Sequence, residues 1–245
     1  MTSQDRFFDC ADLARRAAGI EAAVAAVNQG ELVVLPTDTV YGIGADAFMP
    51  SAVTALLATK GRGREMPAPV LVGSVRAATA LIDDLGLHGQ DLIDEFWPGA
   101  LTLVCHASRT LSWDLGDTRG TVAVRMPLHP VALELLKQTG PMAVSSANRS
   151  GSAPAMTAAE AADQLGDSVQ VYLDAGPCTS RTPSSIVDLT GPVPRLLRAG
   201  AIAPERLRIV APIVEGDDDA AGDDGAPKNG DDPAAQGGED VSSPA

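Results

Sequence analysis

Three cations stand within five residues, separated by glycine, in the segment Lys60-Gly61-Arg62-Gly63-Arg64. The chain of 245 residues has a net charge of −14, so this cluster opposes the overall composition. Glycine disfavours a helix here, and in an extended segment side chains two residues apart point to the same side. Lysine offers a mobile point charge and arginine a planar fork for phosphate oxygens. The segment predicts a phosphate site, with a solvated basic loop as the alternative.

Polar groups also gather where short apolar runs begin or end. Such groups stand at the following places: Thr37 to Gly44, Arg125, Ser145 to Asn148, Ser184 and Arg198. Ligands of α/β sheets bind beyond strand ends, where loops present polar groups. Any one of these places alone is equally typical of a turn. Their repetition favours one binding site built from several strand ends.

The sequence alternates between segments with strand and helix patterns, which predicts an α/β sheet covered by helices. We predict strands at 32–35, 70–72, 101–105, 122–125, 142–144, 169–173, 185–189 and 195–197. Helices are predicted at 13–28, 51–59, 130–138, 157–165 and 204–209, with 75–96 as two helices broken near Gly86. Ser51 is the expected N-cap of the second helix, and Thr157 with Glu160 forms the expected capping box.

Charge and composition divide the chain into a body and a tail. From residue 211 onward ten acidic residues stand against one lysine, so residues 1–210 carry only −5. The tail is rich in Gly, Pro, Ala and Ser and has few apolar residues to anchor it. We predict one folded domain over 1–212 and an acidic, disordered tail over 213–245. We keep two interpretations of the tail. It is either a solvated segment or an electrostatic mimic of an anionic ligand that competes for the basic site.

Other sequence features exclude several classes of protein. Three distant cysteines indicate neither a disulfide framework nor a zinc site. No apolar run approaches the roughly 18 residues that span a bilayer, and the N-terminus lacks the apolar core of a signal peptide. No Walker A or dinucleotide fingerprint is present. Because the cysteines indicate free thiols and the N-terminus does not resemble a signal peptide, we expect a cytoplasmic protein.

The ordered motifs PTDTVYGIGADA, KGR, TVAVRMP, SSAN, PSSIVDL and LLRAG resemble those of the YrdC-like threonylcarbamoyl-AMP synthases. The resemblance spans about residues 14–209 and rests on Lys-x-Arg followed by Ser-x-Asn. It implies a twisted mixed β-sheet with helices around a deep basic cavity. It also implies synthesis of threonylcarbamoyl-adenylate and pyrophosphate from L-threonine, bicarbonate or CO2, and ATP. The product would supply the machinery that forms threonylcarbamoyladenosine in tRNA, with at most weak tRNA contact by this chain.

The resemblance also implies roles for particular residues. Catalysis would rest on Lys60 and Arg62. The expected ATP contacts are Lys60, Arg62, Thr121, Ser146, Asn148 and Arg198. The expected threonine contacts are Thr37, Arg125, Ser184 and the backbone near Val144. Mg²⁺ would arrive on the phosphates, because no carboxylate cage for a metal is evident; Asp38 is either an outer-shell ligand or a turn residue.

Two departures from the family pattern stand out. Some longer members place a histidine where this chain has Gly73, and they carry a second C-terminal domain that the acidic tail cannot form. The main alternative function is non-enzymatic binding of double-stranded RNA or tRNA, against which the acidic body argues. A carbamoyl-transfer module of hydrogenase maturation is a second alternative, but it would be longer and cysteine-paired. We expect Lys60→Ala to abolish turnover with little loss of thermal stability.

Overall fold

The computed structural model describes residues 6–216, which form twelve strands and seven helices. The strands are β1 (Phe7–Asp9), β2 (Val33–Leu35), β3 (Gly42–Asp46), β4 (Val70–Leu71), β5 (Ile82–Asp84), β6 (Leu101–Ala107), β7 (Thr121–Arg125), β8 (Met142–Ser146), β9 (Val171–Asp174), β10 (Ser185–Asp188), β11 (Arg195–Arg198) and β12 (Val214–Glu215). The helices are α1 (Leu13–Asn28), α2 (Pro50–Thr59), α3 (Val75–Leu81), α4 (Gly89–Phe96), α5 (Pro130–Thr139), α6 (Ala158–Leu165) and α7 (Pro204–Val210).

All strands belong to one mixed sheet, as predicted. Its order is β1-β9-β2-β3-β8-β4-β7-β6-β10-β11-β12, with β5 paired to β6. The centre is antiparallel, with β3 against β8 and β6 against β7, whereas β4 runs parallel to β7 and β10 parallel to β6. This order brings chain segments far apart in sequence onto neighbouring strands.

The apolar run of β2 shows why the sheet is covered on both faces. Val33 and Leu35 pack with α1 and α5 in one core cluster, whereas Val34, between them, packs into the other. Successive side chains of a strand point to opposite faces, so a continuously apolar strand requires cover on each side. The second cluster includes residues of α2 and α6. The prediction of helices around a sheet is confirmed.

Two predicted helix starts have different outcomes. Ser51 is not an N-cap: α2 begins at Pro50, and the cap position, Met49, makes no side-chain hydrogen bond. Proline suits the first helical position because its ring presets the helical φ and no N–H is required there. Thr157 does cap α6, accepting from the Glu160 amide at 3.1 Å. The Glu160 carboxylate accepts from Met156 N, one residue earlier than the standard capping box.

Strand β3 begins within the segment from Pro36 to Gly44, which we expected to form a binding loop, and it extends to Asp46. Glycine is depleted in strands, so the sequence pattern around Gly42 and Gly44 did not indicate β3. A Cβ on Gly42 would lie 2.7 Å from Val144 Cγ1, and one on Gly44 would lie 2.9 Å from Met142 Cε. The glycines therefore let β3 pair closely with β8 beneath larger side chains.

Three further elements differ from prediction. The break in 75–96 is longer than expected and contains β5, whose Ile82 is buried and pairs with Ala107 of β6. Strand β1 was not predicted. Strand β12 was not predicted either: it pairs with β11, and Ile213 before it is buried. The domain boundary at 212 stays a prediction. The disorder predicted for 217–245 lies outside the described residues. Within 6–216, no helix is long and apolar enough to cross a membrane.

Candidate active site

A cleft that is open to solvent lies over the middle of the sheet. Among the described residues that line it, three are arginines and none is acidic. The lining consists of Thr37, Thr39, Val40, Tyr41, Gly42, Arg62, Pro69, Leu71, Thr102, Arg125, Val144, Ser145, Ser146, Pro154, Pro183, Ser184 and Arg198. A cavity with this charge suits an anionic ligand, although the described chain as a whole is acidic.

Arg125, at the end of β7, is the most buried arginine of the cleft. Its Nη2 donates to Asp38 Oδ1 at 2.6 Å, its Nη1 to Thr39 Oγ1 at 3.0 Å and its Nε to Gly99 O at 2.9 Å. Burial lowers the pKa of Arg125, and the charge of Asp38 opposes that shift. Three of the five guanidinium N–H groups are thus engaged, which leaves at most two for a ligand.

Asp38 belongs to this arrangement and not to a simple turn. Its Oδ1 also accepts from the backbone amide of Leu128 at 2.9 Å. The carboxylate therefore joins the loop after β2 to the segment after β7 and holds the Arg125 guanidinium from behind. Asp38 does not line the cleft.

Arg198, at the end of β11, is held by the residue before β10. Its Nε donates to Ser184 O at 3.0 Å and its Nη2 to Ser184 Oγ at 3.2 Å. Ser184 Oγ lies 2.8 Å from Thr102 Oγ1 on β6. This chain of contacts fixes one wall of the cleft across three neighbouring strands.

Lys60 lies beneath the cleft instead of lining it. It ends α2, and only 1% of its surface is exposed. Its Nζ donates to Ser146 O at 2.7 Å, to Asn148 Oδ1 at 2.9 Å and to Asn148 O. An ammonium buried in this way is stabilised by its acceptors. Lys60 therefore fixes the turn after β8, and its burial argues against the small effect on stability expected for Lys60→Ala.

The two arginines of the cationic segment separate. Arg62 lines the cleft, and its Nη1 lies 3.3 Å from Ser145 Oγ. Arg64 turns to the surface and binds Asp114 with both terminal nitrogens, at 2.8 and 2.9 Å. Gly61, at φ 63°, produces the turn that breaks an extended conformation. An extended segment could place all three cations on one face, but only Arg62 lines the cleft. The roles implied by the family resemblance fall on Lys60 and Arg62 and not on Arg64.

The other predicted residues divide between the cleft and its surroundings. Thr37, Val144 and Ser146 line the cleft, although the amide of Val144 already donates to Pro69 O at 2.8 Å. Asn148 is buried outside it and donates to Ser152 O at 2.6 Å. Thr121 begins β7, at the opposite end from Arg125, and its hydroxyl donates to Thr118 O. It does not line the cleft.

Gly73 has a packing reason for its lack of a side chain. A Cβ at this position would lie 3.0 Å from the backbone of Leu136 and Lys137 in α5. A side chain here would require the backbone of α5 to shift by a few tenths of an ångström. The close approach of α5 thus disfavours a histidine at this position.

Reactive side chains near the cleft are held in their neutral forms. Cys178 Sγ lies 3.9 Å from Thr37 O, and burial raises the pKa of this thiol to about 11. Burial lowers the pKa of His129, with the nearby charge of Asp38 opposing the shift. A thiol is nucleophilic only as its thiolate, so Cys178 is not poised for covalent catalysis at neutral pH.

Sequence reasoning gave no role to Thr39, Thr102 and Ser145, whose side chains carry hydroxyls and which line the cleft. Thr102 stands between Leu101 and Leu103, which both pack into the core, so strand alternation turns it to the other face. A polar residue alternating with leucines was the available signal. Thr39 belongs to a motif whose neighbour Thr37 was assigned, but its contact with Arg125 depends on a residue 86 positions away.

Comparison with known proteins identifies the family. The Sua5/YciO/YrdC family model, described as telomere recombination, matches residues 25–200. The chain belongs to the Sua5/YciO/YrdC family.

Several relatives in the family are threonylcarbamoyl-AMP synthases. The enzyme of Thiobacillus denitrificans is 35% identical over 175 residues, which cover 71% of this chain and 91% of that protein. The enzyme of Bacillus subtilis is 34% identical over 197 residues, 79% of this chain but 57% of that longer protein. A Mycobacterium tuberculosis relative is 58% identical over 200 residues, covering 82% of this chain and 92% of its own length.

Solved structures share the fold. Pyrococcus abyssi Sua5 complexed with L-threonine aligns with a TM-score of 0.75 and 34% identity, over 78% of this chain and 56% of that chain. The chain thus spans little more than half of that protein. A nucleotide-bound HypF aligns with a TM-score of 0.63 at 18% identity over 29% of its length, which shows a common fold alone.

Proposed function

We propose that this protein is a threonylcarbamoyl-AMP synthase, which condenses L-threonine, bicarbonate or CO2, and ATP into threonylcarbamoyl-adenylate and pyrophosphate. The observation that carries the proposal is that one cleft contains residues of both expected substrate sites. The expected ATP contacts in the cleft are Arg62, Ser146 and Arg198. The expected threonine contacts there are Thr37, Arg125 and Ser184. The synthases among the family relatives support the same activity.

The contact between Arg198 and Ser184 is where the two substrates would meet. Arg198 is expected at the phosphates and Ser184 at threonine, and the two side chains lie 3.2 Å apart. Arg125 would take the threonine carboxylate with its remaining N–H groups. Lys60 and Asn148 would act indirectly, by fixing the backbone that carries Ser146. An ATP contact by Thr121 stays a prediction.

The chemistry needs no nucleophile from the protein. The neutral amine of threonine forms an N–C bond with CO2 and releases a proton, which gives a carbamate. A carbamate oxygen then attacks the α-phosphorus of ATP, and the bond to the β-phosphate oxygen breaks with loss of pyrophosphate. The protein contributes alignment of two anions and neutralisation of the developing charge. Arg62 and Arg198 are suited to this by position and charge.

The described residues do not fit a resident metal ion. They contain no group of three or more His, Cys, Asp or Glu side chains able to hold one, and no carboxylate lines the cleft. We therefore place Mg²⁺ with the substrate, as the MgATP complex, and assign no step to a protein-bound metal.

The product is a reactive mixed anhydride, so an acceptor must consume it. We expect the tRNA-modifying threonylcarbamoyl-transfer machinery to do so, with little direct tRNA contact by this chain. Because ATP and tRNA are intracellular, we expect the protein in the cytoplasm. The alternative of non-enzymatic RNA binding has less support, because the arginines of the cleft are recessed and do not form an extended basic surface.

Pyrophosphate release from MgATP tests the proposal. We expect release only when threonine and bicarbonate are both present, with label from bicarbonate retained in an adenylate. Arg198→Gln should lower kcat/KM for ATP about 100-fold or more. Arg195→Gln, on the same strand but facing Asp188, is the matched control and should stay within about threefold.

Release without threonine would refute the synthase assignment. Salt-sensitive tRNA binding without any turnover would favour the RNA-binding alternative instead. Equal losses for Arg198→Gln and Arg195→Gln would show that the strand matters only for stability.

A further inference from the structure

The backbone of Val144 in β8 makes half of an expected pair of hydrogen bonds with the chain opposite it. In an antiparallel pair, every second residue exchanges both bonds with its partner, since the N–H and the C=O of one residue point to the same side. Val70 of β4 pairs with Ala143, so Pro69 lies directly opposite Val144. The Val144 amide donates to Pro69 O at 2.8 Å, and the Val144 carbonyl therefore points to the same side.

Proline prevents the return bond at this position. Pro69 has no N–H, so it accepts from Val144 but donates nothing to the Val144 carbonyl. Proline is tolerated here because it stands just before the first residue of β4. The carbonyls two residues away on the same edge differ: Ser146 O accepts from Lys60 Nζ at 2.7 Å, and Met142 is paired with β4. Of these three carbonyls in the described structure, that of Val144 faces a position without a donor.

This position belongs to the cleft. Pro69 and Val144 both line it, and β4 lies between β8 and β7, the strand that ends at Arg125. The Arg125 guanidinium contacts Thr39, in the loop that leads into β3, and β3 is the strand on the far side of β8. The guanidinium therefore extends over the sheet from β7 toward β8. A small ligand held by Arg125 lies on the side of the cleft where the Val144 carbonyl is.

We propose that Pro69 keeps the Val144 carbonyl open to the substrate, where it accepts a hydrogen bond from the amine of threonine. With the threonine carboxylate at Arg125, the amine is one carbon further along, and its N–H is the kind of donor that a carbonyl oxygen requires. The bond would also orient the nitrogen that forms the carbamate with CO2. Pro69 is then a positioning residue, which acts through Val144. The inference rests on the proposed function and explains how the sheet leaves this oxygen for the substrate.

Pro69→Ala tests the inference because it restores an N–H opposite the Val144 carbonyl. The new amide should bond to that oxygen and displace the threonine amine from it. We expect the Kd of threonine, measured by titration calorimetry, to rise about tenfold, which corresponds to one lost hydrogen bond. KM for threonine should rise by the same factor, whereas kcat and KM for ATP should stay within about twofold.

The stability of Pro69→Ala separates this role from a structural one. The added backbone bond offsets the loss of a proline that restricts the unfolded chain. We therefore expect Tm without ligand to stay within about 3 °C of the wild type. A proline that served only to hold the fold would instead lower Tm and weaken both substrates alike, which would overturn the inference.

Pro141→Ala is the matched control. Pro141 also stands just before a strand, β8, and its carbonyl accepts from a backbone amide, that of Ala47 at 3.4 Å. It does not line the cleft. The same exchange of proline for alanine should therefore leave the Kd of threonine within about twofold.

The ¹³C NMR signal of the Val144 carbonyl distinguishes the proposed bond from mere loss of the Pro69 ring. In the wild type this signal should shift when threonine is added. In Pro69→Ala it should already differ before threonine is added and then respond little. An unchanged Kd in Pro69→Ala, or a Val144 response as large as that of the wild type, would overturn the inference. If both results are as expected but the wild type releases no pyrophosphate, the proposed function alone is refuted.

Discussion

Asp38→Asn removes the charge that balances Arg125 while keeping an oxygen able to accept from Leu128. In the ion pair, 7% of the arginine side chain and 15% of the aspartate side chain are exposed. Losing one partner of a buried pair costs about 3–5 kcal/mol. Since asparagine keeps hydrogen bonds, we expect a loss of about 2–3 kcal/mol in the free energy of unfolding. For a chain of this size that loss lowers Tm by about 5–10 °C.

The same substitution should increase the stabilisation given by threonine. In the wild type the threonine carboxylate would share Arg125 with Asp38, whereas in Asp38→Asn it would be the main counter-charge. Ligand that binds only the folded state at 100 times its Kd adds about 2.7 kcal/mol. We therefore expect saturating threonine to raise the Tm of the variant by more degrees than it raises that of the wild type. Differential scanning fluorimetry across a threonine titration measures both values.

Asp188→Asn is the matched control for this experiment. Asp188 is also buried and pairs with an arginine, Arg195, at 3.0 Å. Burial opposes ionisation there, but hydrogen bonds from Thr190 and Arg195 bring the pKa of Asp188 below its usual value. Its loss should lower Tm without changing the threonine response. The reasoning fails if Asp38→Asn leaves Tm unchanged, or if threonine stabilises both variants alike.

Four further predictions rest on buried side chains and close packing. Lys60→Ala should lower the free energy of unfolding by about 2–4 kcal/mol, since it leaves buried oxygens of Ser146 and Asn148 unpaired. Lys137→Ala, at an exposed lysine, is the control. Equal melting curves for the two variants would contradict a stabilising role of the buried Lys60 ammonium. Gly200→Ala places a Cβ within 2.5 Å of Pro183 O. It should therefore lower Tm and raise KM for ATP several-fold, which corresponds to about 1 kcal/mol. Gly191→Ala is the control and should change neither value, because the nearest atom to its Cβ would be 3.8 Å away. Cys178, with its pKa raised to about 11, should react with iodoacetamide at pH 8 about 100-fold more slowly than a free thiol, and peptide mapping would detect a faster rate. Because the unfolded thiol ionises first, this shift also removes stability as the pH rises from 9 to 11.

How much the sequence predicts depends on where the partner of each residue lies. The apolar run of β2 specifies its own burial on both faces, and no distant residue is needed to recognise it. Gly42 is suited to a strand because Val144, about one hundred residues later, occupies the space of its side chain. The local sequence therefore did not indicate β3. Composition favours an exposed lysine, whereas Lys60 is buried because the turn carrying Asn148 surrounds its ammonium.

The contacts that hold the arginines of the cleft also bear on the entropy of binding. An arginine side chain gives up about 2 kcal/mol of rotamer entropy when it is immobilised. Arg125 and Arg198 are already restrained by Asp38, Thr39 and Ser184 before any ligand arrives. The rotamer entropy of these two side chains is therefore lost when the chain folds and not when a ligand binds. An anion entering the cleft finds its charges in place, so ligand binding should order few side chains and show a correspondingly small conformational entropy change.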